Sequence, residues 1–494
     1  MEINVTRRRR LLKLSALFFT TTHLASCGNS GSTEEAVATQ APSPTGSQPP
    51  SSPPPSSPPP PTSAPPAPTP PSPSPPTAAP TPAPVPAPPA APVPPPPALS
   101  EAAMPPWRQG QAVNEWREIA NTAMNLLAPA NDPRATTGIP SVIGPRGRMD
   151  AWCGLSIDTR SSKVWSAANG GHGDYFGNEV CTIDLLATAP AWQEWFAGST
   201  GNVVNIDTTT VGPTHPSRAR YLDGLPCSTH SYYGQQFLER QNRALRLGGS
   251  VAPLGSAYEN VEGFDVSRPR GTQAWDAAGT YGMALGGTYG GWTPAIGWCC
   301  TKDPITERIY NVVQPRIWRF TPALSGIGGV WDSLGVLPDA LNSGAMAATA
   351  VDTSRNRLFW LLGQGASEAH LCNLANGAWT ARTLPVSAAA DAMRTATGVS
   401  STSGSQPHSS GMAYVPALDA YLVRQAATGG RVFRIDPETL AVTDLSTTGG
   451  ASVPAGAPFG GEQGVYNRWL FVPQLKGMVY FPRASSNAWF LRTH

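Results

Sequence analysis

The strongest constraint on this chain is a unit that keeps returning along it. A small-residue strand runs into a polar turn, an apolar strand follows, a third strand closes on Asp-x-x-Thr or a variant, and a fourth carries tryptophan. The clearest copy reads Ser410 to Val415, a turn from Pro416 to Ala420, Tyr421 to Gln425, Arg431 to Leu440, then Ala441 to Leu445. The copy before it runs from Gly344 to Asp352, through the turn Thr353 to Arg357, to Leu358–Leu362, Ala369–Leu374 and Ala378–Arg382. Similar units begin near Ala151, His230, Gly297 and Gln463. One such unit is a twisted sheet with two faces to cover, and stacking the copies radially covers both while leaving only short edges. The expectation is therefore an all-β fold, a β-propeller of six blades, with seven as the alternative count. The last copy supplies strands around Trp469, Val479 and Trp489 to Leu491 and no fourth. Asn114 to Ile119 reads as that missing strand, closing the ring from the N-terminal side, although residues 111–126 also allow an amphipathic helix.

The first hundred residues belong to a different problem. Thr6 to Lys13 is basic, Leu14 to Phe19 is apolar but too short to span a bilayer, and Leu24-Ala25-Ser26-Cys27 brings small residues to a cysteine. This order describes an export signal over residues 1–26. It resembles a twin-arginine signal ending in a bacterial lipoprotein box. That resemblance implies lipidation of Cys27 and folding before export; with Gly28 next, it implies residence at the outer membrane or cell surface. Residues 27–106 form a stalk, since 32 of the 55 prolines lie between Pro42 and Pro106 and such a stretch buries no apolar surface. The propeller is expected over 107–494. Membrane contact is expected through the lipid anchor only. A net charge of +2 gives no electrostatic case for nucleic acid.

Chemistry concentrates at Asn169-Gly-Gly-His172-Gly-Asp174-Tyr175-Phe-Gly-Asn178-Glu-Val180, between two short apolar runs. Its glycines let an imidazole, a carboxylate and a phenol crowd into one connection. In a propeller, the loops joining second to third strands and blade to blade share one face. His172 lies in such a loop, while His230 and His408 are each expected to open an inner strand, so all three are placed at one mouth of the ring. His215 falls in the long connection 196–229, which also carries Arg220 and Tyr221. The stretch around His172, with Ser228-Thr-His230-Ser-Tyr232 leading to Gly248-Gly249, resembles bacterial kelch-type propellers of the galactose oxidase central-domain superfamily. The resemblance implies the fold; enzymes and binding modules share it.

A recognition site for a carbohydrate or other cell-surface ligand is the leading expectation, with His408, Asp174, Arg220 and Tyr221 as ligand-binding candidates on a monomeric chain. The alternative is a uronate polysaccharide lyase, with His172, His230, Tyr175 and Tyr232 as acid and base and Arg220 beside the carboxylate. The copper-ligand pattern of galactose oxidase is missing, so no oxidase is expected; neither metal nor cofactor is assigned. Six cysteines follow Cys27, at positions 153, 181, 227, 299, 300 and 372. Their even number permits three disulfides, and buried thiols are the other reading.

Overall fold

The computed structural model describes residues 96–132, 143–171, 174–200, 206–207, 220–251, 261–282, 299–313, 316–338, 348–361, 368–395, 410–425, 428–455 and 464–494. Six antiparallel sheets follow one another along the chain. Blade 1 is Ser156–Asp158, Lys163–Ala167, Val180–Asp184 and Trp192–Phe196. Blade 2 has Gln235–Leu238, Arg243–Leu247 and Val261–Asp265, with a single bridge from Phe264 out to Trp275. Blade 3 is Cys300–Lys302, Ile309–Val313, Arg316–Pro322 and Gly329–Val336. Blade 4 is Ala348–Asp352, Arg357–Leu361, Glu368–Asn373 and Trp379–Thr383. Blade 5 is Gly411–Val415, Ala420–Arg424, Phe433–Ile435 and Val442–Asp444.

Blade 6 closes the ring. Trp469–Val472, Gly477–Tyr480 and Ala488–Arg492 come from the C-terminal end, and the outermost strand is Trp116–Ile119. That strand pairs antiparallel with Ala488–Leu491, Trp116 opposite Leu491 and Ile119 opposite Ala488. The strand reading of this segment therefore holds over the helical one. The chain is a six-bladed β-propeller.

Apolar side chains on both faces of each sheet explain the ring. Six buried clusters alternate with the six sheets. Trp165, Val180 and Phe196 of blade 1 meet Phe237, Ala244 and Phe264 of blade 2, and the same pattern recurs at every boundary round to Val472, Val479 and Phe490 of blade 6 against Leu155, Val164 and Ile183 of blade 1. Indole and amide groups reach across the boundaries: Trp469 Nε1 donates to Leu422 O at 3.2 Å, Trp116 Nε1 to Gly430 O at 2.9 Å and Gln235 Nε2 to Ala167 O at 2.9 Å.

Short turns hold each blade's geometry. Every turn from inner to second strand ends on a residue in the left-handed region: Ser162, Asn242, Glu307, Asn356, Asp419 and Lys476. Aspartates cap several turns by accepting the N–H two residues on, as Asp303 does from Ile305 at 2.8 Å and Asp436 from Glu438 at 2.9 Å. This is the physical content of the recurring Asp-x-x-Thr, since Thr439 Oγ1 also donates to Asp436 at 2.9 Å.

Two readings are settled differently from the simplest expectation. His230 does not open the inner strand of blade 2. It pairs with Ser250 in a separate two-stranded ladder, Thr229–His230 with Ser250–Val251, while the inner strand begins at Gln235. The reason is local: Tyr232 sits at φ +48° and breaks the extended run. The six cysteines after Cys27 are buried, and none of them is in a disulfide. Strand alternation splits the vicinal pair, Cys299 into the cluster between blades 3 and 4 and Cys300 into that between blades 2 and 3.

Two outcomes follow. Trp116→Ala, which removes a buried side chain from the closing strand, should cost about 3–5 kcal/mol in urea unfolding; an unchanged midpoint would show that the N-terminal strand does not seal the ring. Lys476→Gly, at φ +58°, should stabilise by about 0.5–1 kcal/mol, because glycine occupies that region without a Cβ penalty.

Candidate functional site

The Gly-rich connection of blade 1 is clamped on all sides by backbone hydrogen bonds. Thr229 N donates to Ala168 O and Gly170 N to Thr229 O, both at 3.1 Å, which lays the connection alongside the segment that carries His230. Tyr175 N donates to Gly170 O at 3.1 Å, and the Asp174 carbonyl accepts from Gly144 N at 2.9 Å. Glycine is required at two places. Gly171, at φ +82°, lies so near His230 that a Cβ there would stand 1.7 Å from the imidazole Cδ2. Gly249, at φ +100°, would place a Cβ 2.1 Å from the His230 carbonyl oxygen.

His230 is thus held between the glycine pairs of two adjacent blades. Its Nε2 lies 2.6 Å from Asp174 Oδ2. Its ring sits 4.8 Å from the Trp152 ring and meets Tyr232 edge-on at 6.0 Å. The His230 side chain is 3% exposed and that of Asp174 14%, so the carboxylate is the more open partner. An ionised Asp174 favours the ring tautomer protonated on Nε2 and leaves the lone pair of neutral His230 on Nδ1. Such a pair can hold a polar ligand or take up a proton.

The other expected site residues fall into three groups. Tyr232 lies beside His230, with its hydroxyl 3.3 Å from Ser250 Oγ. Tyr175, Tyr221 and Arg220 build the support: Tyr175 is fully buried and donates to Glu179 Oε1 at 2.9 Å, and Tyr221 donates to Phe176 O at 2.7 Å while accepting from Ser228 N at 3.1 Å. Arg220 is ion-paired with Glu262 and donates to Gly224 O at 2.6 Å. His172, His215, His408 and Cys27 lie outside the described residues, so the expected convergence of three imidazoles is represented by His230 alone.

Sequence reasoning missed what lies beneath the connection. Arg148 Nη1 is 3.5 Å from Glu179 Oε1, and both side chains are almost wholly buried. Burial, opposed by the neighbouring Arg148, pushes the Glu179 carboxyl up to about 7; burial, with the Glu179 carboxylate next, raises the Tyr175 phenol. Glu179 stood inside the motif, but nothing in the spacing tied it to Arg148, a residue from a short helix Gly147–Asp150 ahead of blade 1. Trp152 was likewise silent in the sequence. Among the described residues no group of three or more His, Cys, Asp or Glu side chains is arranged to hold a metal ion.

No family model matches the chain, and no curated protein matches it. Solved structures similar to it include a chain of the mitotic checkpoint complex, at 11% identity and TM-score 0.37, covering 74% of this chain and 96% of that one. A proposed 6-phosphogluconolactonase from Bacteroides uniformis is 11% identical with TM-score 0.34, covering 66% and 76%. Dihydro-heme d1 dehydrogenase in complex with DHE is 11% identical with TM-score 0.30, covering 60% and 47%. At such identity the likeness extends to fold alone.

The buried glutamate has a pH signature. Its folded value of about 7 lies above the ordinary 4.5, so the folded state holds that proton more tightly. The associated stability is fully present below pH 4.5 and is lost as pH rises through about 7, by at most about 3 kcal/mol. Urea midpoints at pH 5 and pH 8 should show this loss in the natural chain and a much smaller one in Glu179→Gln.

Proposed function

We propose that this chain is an exported, lipid-anchored propeller of kelch type that recognises an extracellular carbohydrate at the face carrying Asp174 and His230. The observation that carries the reading is the seating of His230: Gly171 makes room for its imidazole, Gly249 for its backbone carbonyl, and Asp174 Oδ2 stands 2.6 Å from Nε2. Asp174 fixes the ring and is its more exposed partner, so the ligand meets the carboxylate first, through its hydroxyl groups. His172 and His408 belong to the same proposed site by their positions in the chain, His408 preceding the inner strand of blade 5 by three residues. Tyr175 and Tyr221 support this site from below; Arg220 flanks it, held by Glu262. In this reading the basic and apolar leader, a lipid on Cys27 and the proline-rich stretch would hold this face at the outer membrane or cell surface.

The pairing of Asp174 with His230, next to the Tyr232 ring, also favours a second reading, β-elimination on a uronate polymer. There the imidazole removes the proton next to the sugar carboxylate, and a tyrosine or a second histidine protonates the leaving glycosidic oxygen.

Purified chain should be titrated with a panel of neutral polysaccharides and uronate polymers, recording both binding and the ultraviolet absorbance of any unsaturated product. Recognition predicts saturable binding without product, weakened about tenfold or more, at least 1.4 kcal/mol, by Asp174→Asn and His230→Gln with unfolding midpoints checked in parallel. New absorbance that disappears in His230→Gln would instead establish the lyase. Absence of both binding and product across the panel would overturn both readings.

A further inference from the structure

The six inner strands enclose a second space, along the axis of the ring, on the far side of the molecule from His230. Its volume is about 300 Å³, and Ser156, Gln236, Thr301, Ala350, Ala413 and Leu470 stand on its wall, one from each blade. It is blind. Tyr233, just before the inner strand of blade 2, donates its hydroxyl to the carbonyl of Ser410, just before that of blade 5, at 2.6 Å. Blades 2 and 5 face each other in a six-membered ring, so this bond spans the axis. The Tyr466 ring meets Tyr233 edge-on at 5.3 Å; both tyrosines are buried. The open end lies among the inner-to-second turns, where Pro304, Pro416 and Pro473 line it together with Pro96.

The chemistry of the pocket is apolar with its charges already matched. Phe237, Tyr414 and Phe471 contribute rings to the lining. Lys302 Nζ is bound to Glu239 Oε2 at 2.5 Å and to Phe237 O at 2.6 Å, and Arg160 Nε to Asp158 Oδ1 at 3.1 Å. These pairings reduce the charge that Lys302 and Arg160 offer an entering anion. At roughly 30 Å³ per molecule the space holds on the order of ten waters against mostly apolar walls, which favours their replacement by a compact organic molecule. A polysaccharide does not fit a space of this size.

We propose that the axial pocket is a separate ligand site that takes one uncharged, ring-sized organic molecule, entered from the turn face. The volume lies at the lower end of the range for small-molecule sites, and mostly apolar walls with few polar groups are their usual composition. The proposal stands independently of carbohydrate recognition on the opposite face.

A matched pair of probes tests it: benzyl alcohol, which is neutral, and benzoate, which has the same ring and a charge. Ligand-observed NMR on the full-length chain should show saturable benzyl alcohol binding, and benzoate binding at least about tenfold weaker. Thr301→Phe, which places a ring into the space from a half-exposed strand position, should abolish the benzyl alcohol signal while leaving the unfolding midpoint within a few degrees. Met412→Phe, from blade 5, should do the same if the first variant folds poorly. His230→Gln should leave binding unchanged, which separates this site from the other face. Equal binding of the two probes, binding that survives both filling variants, or no saturable binding of benzyl alcohol would overturn the proposal.

Discussion

Each blade of this protein depends on its neighbours to keep water off its faces. A four-stranded sheet of this size cannot cover both sides by itself, and the six apolar clusters between blades make that cover mutual. Fully burying one Phe, Leu or Val side chain contributes about 1.5–3 kcal/mol, so a ring left open at one boundary would expose a whole cluster. The pairing of Trp116–Ile119 with Ala488–Leu491 matters for that reason. It fastens the two ends of the chain in one sheet and thereby holds the boundary between blades 6 and 1 shut.

The repeat was legible because its signals are local. Tyr421-Leu-Val-Arg is apolar on a strand scale, Asp436-Pro-Glu-Thr439 is a turn with its own hydrogen bonds, and Trp469 marks a strand packed between blades. Asn114 to Ile119 was legible as the missing strand only through the count of strands in the last copy, since its own residues also suited a helix. The site was harder. The Gly-rich stretch announced itself, and its Asp174 does meet His230. Tyr175, however, turns inward, where its hydroxyl meets the Glu179 carboxyl, and alternation within an irregular connection cannot show which way a ring points. Arg148 comes from a segment ahead of the first repeat, and Trp152 stands at that repeat's very start, before its inner strand Ser156–Asp158. His230 was displaced from the inner strand by the left-handed conformation of Tyr232, an event that no residue type other than glycine advertises in advance.

The arrangement at His230 illustrates how a propeller concentrates chemistry without building it into the ring. The blades fix the ends of the connections, and the connections meet over the axis. Gly171 and the Asp174 carboxylate from one connection, and the Trp152 ring from ahead of blade 1, converge on one imidazole, while Gly249 packs against the backbone of the same residue. Beneath them Tyr233 ties blade 2 to blade 5, and the edge-on rings of Tyr232, Tyr466 and Tyr233 run from His230 to that bond.

Where the chain joins the ring has a mechanical consequence. Leu99 N donates to Gln474 O at 2.9 Å and Arg108 Nε to Leu475 O at 3.2 Å, while Glu101 bridges to Arg492 at 3.0 Å. All of these grips fall on the inner-to-second turn and the strand end of blade 6, ahead of Trp116 in the chain. Tension arriving from residues before Pro96 is therefore taken up by this collar and does not peel the closing strand from its neighbour. The seam that holds the ring together is spared the load, much as a cable clamp protects a solder joint.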